Sequence, residues 1–562
     1  MKAGTKGGQA AHSEFADLVL LNGKVITVDK KFSVKEAVAI KNGKIIFVGK
    51  TADADKFAGS RTKKIDLLGR TVVPGINDTH AHVDSIGLTM PPFALDLNSP
   101  VVKSIADIAE AVLAKVRDLP KGSWVRGNGY NPEYLSECRA DPTKELSRRT
   151  LDPVSPDNPV ALWDFSHHNM WANSKALEAA GITRETPNPN GGIIVKDEKG
   201  EPTGILRETA TALVEAVLPP VTKDEMKAAL LVGIREMNLN GITSFTQPQL
   251  EPDGDLIALY QELFNEGLLT ARVTGMILFG WDFEKFKANL DRWEAPAGLD
   301  STWLQFSQVK IMADGIPPTK TAWMYNPYVG GGCSSLTINA GTDAEKYDNL
   351  MQMIQYGHAK GWQIGIHGTG DRTISAILDG YESAQRLYPL EKDKRHYIIH
   401  DELIRASDIK RSARLRVAAA MQPYLQRLTA DSAASIIGPD LAEWDWPFNS
   451  VLKARGKLTF SSDAAATYPD WRKGVQAAVL REGFSGTVSG PNERISREDA
   501  IRAYTISGAW QDHMEHVKGS LEVGKVADLC VLDGDILAVP PREIGEISAV
   551  MTVVGGKIVY EK

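Results

Sequence analysis

The stretch PGINDTHAHVDSIG, which begins at Pro74, sets His80 and His82 one residue apart after a short apolar run, in a chain with only 11 histidines. In extended backbone, residues i and i+2 point to the same side, so both imidazoles can reach one ion. Similar apolar runs end in His367 (IGIHGTGD), His400 (YIIHDEL) and Asp463 (TFSSDAA), and Lys310 lies near the end of another (QVKIMADG). Imidazoles and a carboxylate suit a divalent transition metal. Such an ion lowers the pKa of a water from 15.7 towards about 7, and two ions about 3.5–4 Å apart can share the nucleophile while one polarises a carbonyl. A carboxylate such as Asp463 beside that water can take its proton during attack and return it to a departing amine.

Positioning these residues requires elements that end at one place. After Gly241 the text alternates apolar strands with helical periods, the signature of βα units and a parallel sheet. The expected strands are 241–247, 271–278, 304–315, 362–368, 396–403, 416–423 and 457–464. With TVVPGINDTHAH (71–82) as the first, they number eight, which closes a (β/α)8 TIM barrel. Every candidate then falls at or near a strand C-terminus, where such barrels keep their chemistry. Helical text intervenes in DAEKYDNLMQMIQYGHAKG and DRTISAILDGYESAQRLY, and SREDAIRAYTISGAW has Ser496 as its expected N-cap.

The two chain ends read differently. Short alternating runs broken by Asn22-Gly23 and Asn42-Gly43, and again by Gly555-Gly556, predict hairpins, because these pairs supply the positive φ of two-residue turns. A few isolated hairpins cannot bury a core, so residues 16–72 and 518–562 are expected to pair into one small β-sandwich-like domain, preceded by a flexible tail over 1–15. The barrel is then assigned to 73–83 and 236–517. Residues 84–235 are too long for a βα connection and read as an α/β insertion emerging over the active-site face.

Composition narrows the function classes. A formal charge of -7 without clustered Lys or Arg argues against nucleic acid as a partner. The 3 cysteines, Cys138, Cys333 and Cys530, lack metal-knuckle or disulfide spacing, which fits a reducing, cytoplasmic setting. No apolar run is long enough to span a bilayer, so no membrane association is expected.

The motifs resemble those of the amidohydrolase superfamily, in the amidohydrolase-3 or YtcJ-like branch that includes N-substituted formamide deformylases. The resemblance rests on PGINDTHAH for PGxxDxHxH, VKIMADG for VKIxADG, HGTGDRTISAILDGYE for HxxGDRAxxxxLDxYE, the closing GSLEVGKVADL, and the β hairpins at both ends. It implies that His80 and His82 hold the more buried metal, that Lys310 can be carboxylated to bridge two ions, that His367 and His400 hold the second, and that Asp463 contacts metal and shuttles the proton. It further implies zinc, two divalent ions per subunit, a small-molecule amide substrate, cleavage of a C–N bond and a homodimer. Glu402 stands where relatives more often carry Gln, which puts the support of His400 in question. SHHNMWANSKAL (His167, His168) matches a family HxxWxNSxAL, which implies that His168 faces the substrate.

Competing roles exist for several of these residues. Asp463 could cap the helix after the last strand, and Lys310 could pair with Asp314. Asn128 and Tyr130 in RGNGYN and Trp323 after strand four are candidate substrate-pocket residues, although buried aromatics are more often core. An esterase or lactonase would use the same ligands. A heterocyclic amine deaminase of this superfamily would carry Glu three residues after the strand-five histidine, where this chain has Gly370.

Overall fold

The computed structural model describes residues 15–98, 101–141, 146–164, 168–189 and 192–562. The tail before Phe15 and His167 lie outside them. Eight strands form one parallel sheet in sequence order: β1 (Ile76–Asp78), β2 (Ile242–Leu250), β3 (Arg272–Ile277), β4 (Leu304–Met312), β5 (Gln363–Gly368), β6 (Tyr397–His400), β7 (Ala418–Met421) and β8 (Leu458–Phe460). β3, β5, β6 and β7 are buried along their whole length, as a parallel sheet covered on both faces requires. The ladder runs unbroken from β1 to β8. Specific bonds join its two edges: Thr79 Oγ1 donates to Phe460 O (3.1 Å), Ser462 N to Asp78 Oδ1 (3.0 Å) and Asp463 N to His80 O (2.9 Å).

The first expected strand, 71–82, is in fact two. Thr71–Pro74 runs antiparallel to Leu529–Leu532 in another sheet, and only Ile76–Asp78 joins the barrel. The break falls at Gly75, where a Cβ would lie 2.1 Å from Thr243 Oγ1, so only glycine lets the chain pass β2 this closely.

Both chain ends contribute to two further sheets. One has four strands in the order Lys44–Gly49, Ala37–Lys41, Leu18–Leu21, Lys63–Asp66. The other has six: Lys557–Glu561, Ala549–Val554, Leu529–Leu532, Thr71–Pro74, Lys24–Ile26, Val34–Lys35. Leu20, Val38 and Ile40 from one sheet share a core with Val72, Leu529 and Val553 from the other. Asn42-Gly43 (φ 48° and 74°) and Gly555-Gly556 (φ 54° and 77°) make two-residue turns. Asn22-Gly23 does not: both edges of Leu18–Leu21 are already occupied, so Lys24–Ile26 crosses to the six-stranded sheet instead of folding back.

The chain divides into two compact units, one comprising residues up to His82 with Arg235–Lys562 and the other Val83–Ile234. The second unit has its own mixed sheet of six strands, ordered Gly192–Lys196, Pro202–Glu208, Asn169–Ala172, Val160–Asp164, Val125–Tyr130, Leu95–Asp96. Among the described residues, no helix is long and apolar enough to cross a membrane.

A buried histidine pair braces the barrel where helix Asp343–Ala359 passes the start of β6. His396 Nδ1 accepts from Ile364 N (3.0 Å), His358 Nε2 faces Tyr388 O (3.0 Å), and the two rings meet at 2.8 Å between His396 Nε2 and His358 Nδ1. The fixed backbone donor and acceptor at the two ends leave one arrangement: both rings neutral, each with its proton on Nε2. Burial lowers both pKa values, the charge of Lys394 pushes both rings the same way, and the His358 and His513 rings disfavour a proton on His396, while Tyr381 stacks on the face of His396. A histidine that is neutral when folded but binds a proton near pH 6.5 when unfolded costs stability below that pH, by up to about 1.4 kcal/mol per unit. The loss of melting temperature between pH 7.5 and 5.5 is therefore expected to be smaller in His358→Gln than in the parent. An unchanged difference would show that the pair does not titrate on unfolding.

Candidate metal centre

The six candidate ligands converge on the C-terminal ends of the barrel strands. His80 and His82 lie two and four residues beyond β1, in irregular backbone and not in the strand itself. Their rings are 5.3 Å apart and nearly perpendicular. Both Nε2 atoms face one oxygen: His80 Nε2 is 3.4 Å and His82 Nε2 3.7 Å from Asp463 Oδ1. Ligand atoms of these three residues all lie within 4.8 Å of one another, as shared coordination of one ion requires. A second pair sits beside the first, with the rings of His367 and His400 4.5 Å apart and those of His80 and His400 5.7 Å apart. Lys310, buried in β4, contributes to the electrostatics of all four imidazoles.

Electrostatics leave these groups ready to bind cations. Burial first, and Lys310 among the positive neighbours, hold all four histidines below their ordinary pKa: His82 is pushed down to about 4, His367 to about 3, and His80 and His400 well below normal. Neutral imidazoles present lone pairs. Burial also lowers the Lys310 ammonium and raises the Asp463 carboxyl, with their mutual attraction opposing both shifts. His80 Nδ1 is buried and has no hydrogen-bond partner among the described residues.

Outer hydrogen bonds choose the nitrogens. Gln422, at the end of β7, donates from Nε2 to Ala420 O (3.1 Å) and Ser461 Oγ (2.8 Å), so its Oε1 must accept from His400 Nδ1 (2.7 Å). His400 is thereby left with Nε2 as its free lone pair. His367 donates from Nε2 to Gly315 O (3.1 Å), leaving Nδ1 free. Glu402 is not needed for this support; it is buried near Asp445 and Asp314, which with desolvation push its pKa well up. Sequence reasoning missed Gln422, although β7 was the strand near the ligands whose end carried no assigned polar residue.

Two competing roles fall away. Asp314 accepts from Thr369 N (3.1 Å), Gly370 N (2.9 Å), Trp323 N (3.1 Å) and Thr373 Oγ1 (2.7 Å), so it organises the β4 and β5 loops and is not bonded to Lys310. The helix after β8, Trp471–Leu480, is capped by Asp470, which leaves Asp463 free of that task. His400, Asp401 and Asp463 all have positive φ (72°, 52° and 56°), a left-handed conformation that costs non-glycine residues on the order of 1–3 kcal/mol and gathers at functional loops.

The expected pocket residues differ in burial and partners. Tyr130 lies in a core cluster: the residue is 1% exposed and its ring packs edge-on against Trp171 at 6.0 Å. Asn128, in the same strand, is partly exposed and keeps a buried Oδ1 without a partner among the described residues. His168 is exposed, with Nδ1 2.7 Å from Glu208 Oε2. Trp323 lines a cleft of about 470 Å³ with Tyr325, Tyr347 and Arg372, whose guanidinium stacks 4.2 Å over the indole.

Residues 63–560 match the family model described as "Amidohydrolase family". The chain belongs to that family. It is 30% identical over 505 residues to "Putative amidohydrolase YtcJ" of Bacillus subtilis, covering 89% of this chain and 91% of that one. It is 27% identical over 560 residues to "N-substituted formamide deformylase" of Arthrobacter pascens, covering 98% and 99%. These matches place it in the YtcJ-like branch of the amidohydrolases, as an enzyme of that family. Among solved structures, an uncharacterized metal-dependent hydrolase from Pyrococcus horikoshii superposes with a TM-score of 0.70 at 23% identity, over 93% of this chain and 99% of that one, and shares the fold.

Removing the Gln422 acceptor strands the Nδ1 proton of His400. Gln422→Leu is expected to weaken divalent-metal binding about 10- to 100-fold, measured by chelator competition, with the far-UV circular dichroism unchanged. Wild-type affinity in this variant would show that Gln422 does not position His400.

Proposed function

We propose that this amidohydrolase cleaves the C–N bond of a small N-substituted amide, with a formamide or similar N-acyl compound as the favoured class, using two divalent ions of zinc type. The observation that carries the reading is the single carboxylate oxygen, Asp463 Oδ1, facing both His80 and His82, beside a second histidine pair and a buried lysine. The substrate class is supported by the relative named for N-substituted formamide deformylation.

The donor set fits such ions: neutral imidazoles, the Nε2 atoms of His80 and His82 facing one carboxylate oxygen, and lone pairs freed on His400 and His367 by their outer bonds. When bound, the ions supply a water of lowered pKa and polarise the scissile carbonyl. Asp463 holds the proton released as water attacks the carbonyl carbon, then delivers it to the amine nitrogen as the C–N bond breaks. An amine leaves poorly unless protonated, so this return step is the larger demand on Asp463. Lys310 would enter as a carbamate: its neutral Nζ bonds to the carbon of CO2, one N–H proton is lost to solvent, and the carbamate's two oxygens would be added to the donor set that holds the ions. His80, Lys310, His367 and His400 are themselves buried, which strengthens every charge interaction among them.

The geometry disfavours the deaminase alternative. A Cβ at Gly370 would lie 2.2 Å from Trp323 O, so no catalytic side chain fits there. Substrate selection is assigned to His168, Asn128 and Trp323 on their side-chain chemistry.

His80→Ala and His82→Ala are expected to lose bound zinc and turnover together, by elemental analysis and assay on a formamide. Asp463→Asn is expected to keep the histidine-held zinc while kcat falls by about 10²–10⁴. Lys310→Met is expected to lose one zinc equivalent, and bicarbonate supplied with zinc should speed reactivation of the parent apoprotein only. A panel of amides, esters and lactones tests the bond class; faster turnover of esters or lactones than of every amide would overturn it. Apolar replacement of His168, Asn128 or Trp323 should reorder kcat/KM among N-substituents by about tenfold to a hundredfold at unchanged zinc content.

A further inference from the structure

We propose that a groove on the outside of the barrel, between helix Ala406–Leu415 and helix Phe448–Lys453, binds an anionic amphiphile, a carboxylate or phosphate monoester carrying an alkyl or aryl tail. The groove has a volume of about 570 Å³, within the range of small-molecule sites. It lies between the elements that follow β6 and precede β8, and shares no lining residue with the metal centre.

Its floor and its rim differ in chemistry. Ile409 and Ala413 present apolar atoms from one face of the first helix, and Trp444 walls the groove. The indole is fixed, since its Nε1 donates to Ile404 O at 2.7 Å. Around this floor stand Lys410, Arg414, Lys453 and Arg455, all exposed, and no acidic residue lines the groove among the described residues. Arg414 meets Glu382 at 2.9 Å, but that carboxylate is already held by Arg411. Lys410, Lys453 and Arg455 make no ion pair among the described residues. In a chain of net charge -7, the three cations Lys410, Lys453 and Arg455, with Arg414 already paired to Glu382 beside them, give the rim of this apolar slot a local positive field. A ligand with one anionic head and an apolar tail satisfies both features: the head meets the rim cations and the tail covers Ile409, Ala413 and the Trp444 face. A neutral amphiphile would leave the cations mutually repelling, and a cationic one would add to that repulsion.

The zinc-loaded enzyme is titrated by calorimetry with octanoate, octyl phosphate, octylamine and octan-1-ol. At least one anion is expected to bind more than tenfold more tightly than octylamine or octanol, and which anion wins identifies the head group. Affinity should weaken as salt rises from 0.05 to 0.5 M and strengthen up to about fourfold per added methylene. A carboxylate can also reach the metal centre, so the groove is identified by variants: Lys410→Glu with Lys453→Glu should remove one binding event and spare any inhibition of formamide turnover. Ala413→Phe, which fills the floor without changing charge, should remove the same event. Wild-type affinity in both variants, or equal binding of octylamine and octanoate, would overturn the proposal. A change in oligomer mass in the charge-reversed variant without any anion affinity in the parent would overturn it too, marking the groove as a contact between copies of this chain.

Discussion

Closure of the barrel between β1 and β8 is the constraint on which the site depends. β1 is only three residues long, and its ladder bonds all go to β2. The other edge is held by Asp78, whose Oδ1 accepts from Ser462 N and faces His80 N, by Thr79 reaching Phe460 O, and by Asp463 N on His80 O. These bonds bring His80, His82 and Asp463, separated by about 380 residues of chain, onto one carboxylate oxygen. Burial raises the Asp78 pKa to about 6, so this seam is built from a carboxyl that gives up solvation and recovers it through backbone N–H groups.

The remaining ligands are positioned by the same logic one layer out. Ser461 holds Gln422, Gln422 holds His400, and Asp314 gathers four donors from the loops after β4 and β5 that flank His367. At the opposite ends of the strands a polar network fills the barrel: Tyr397 donates to Gln308, Gln308 to Asp512, and Lys518 pairs with Asp512 at 3.1 Å. The interior is thus tied together by side-chain bonds at one end and presents imidazole lone pairs at the other. That asymmetry is what metal binding and catalysis need: a rigid base and a mouth whose donors lack partners until cations arrive.

Much of this was legible in the sequence because ligand type and strand end coincide. His367, His400 and Asp463 each follow a short apolar run, and the runs alone count to eight. The division at Gly75 was not legible, because TVV and IND are both extended; only the nearness of Thr243, a tertiary fact, separates them. Asn22-Gly23 carries the same turn chemistry as Asn42-Gly43, yet pairing of both edges of Leu18–Leu21 overrides it. Tyr130 was singled out by its glycine neighbours, which do not disclose that its ring packs in a core cluster against Trp171. Gln422 was hidden because a glutamine's role depends on which way its amide faces, and that is set by Ala420 and Ser461.

The central claim is that two histidine pairs and Lys310 gather two divalent ions beside Asp463. Anomalous X-ray diffraction at the zinc edge from crystals of the zinc-loaded protein tests it most directly. The account predicts two peaks inside the barrel mouth, one bound by His80 and His82 and one by His367 and His400, with density for a carbamate on Lys310 reaching both. Zinc bound anywhere other than these histidines, or two occupied sites beside an unmodified lysine amine, would contradict it.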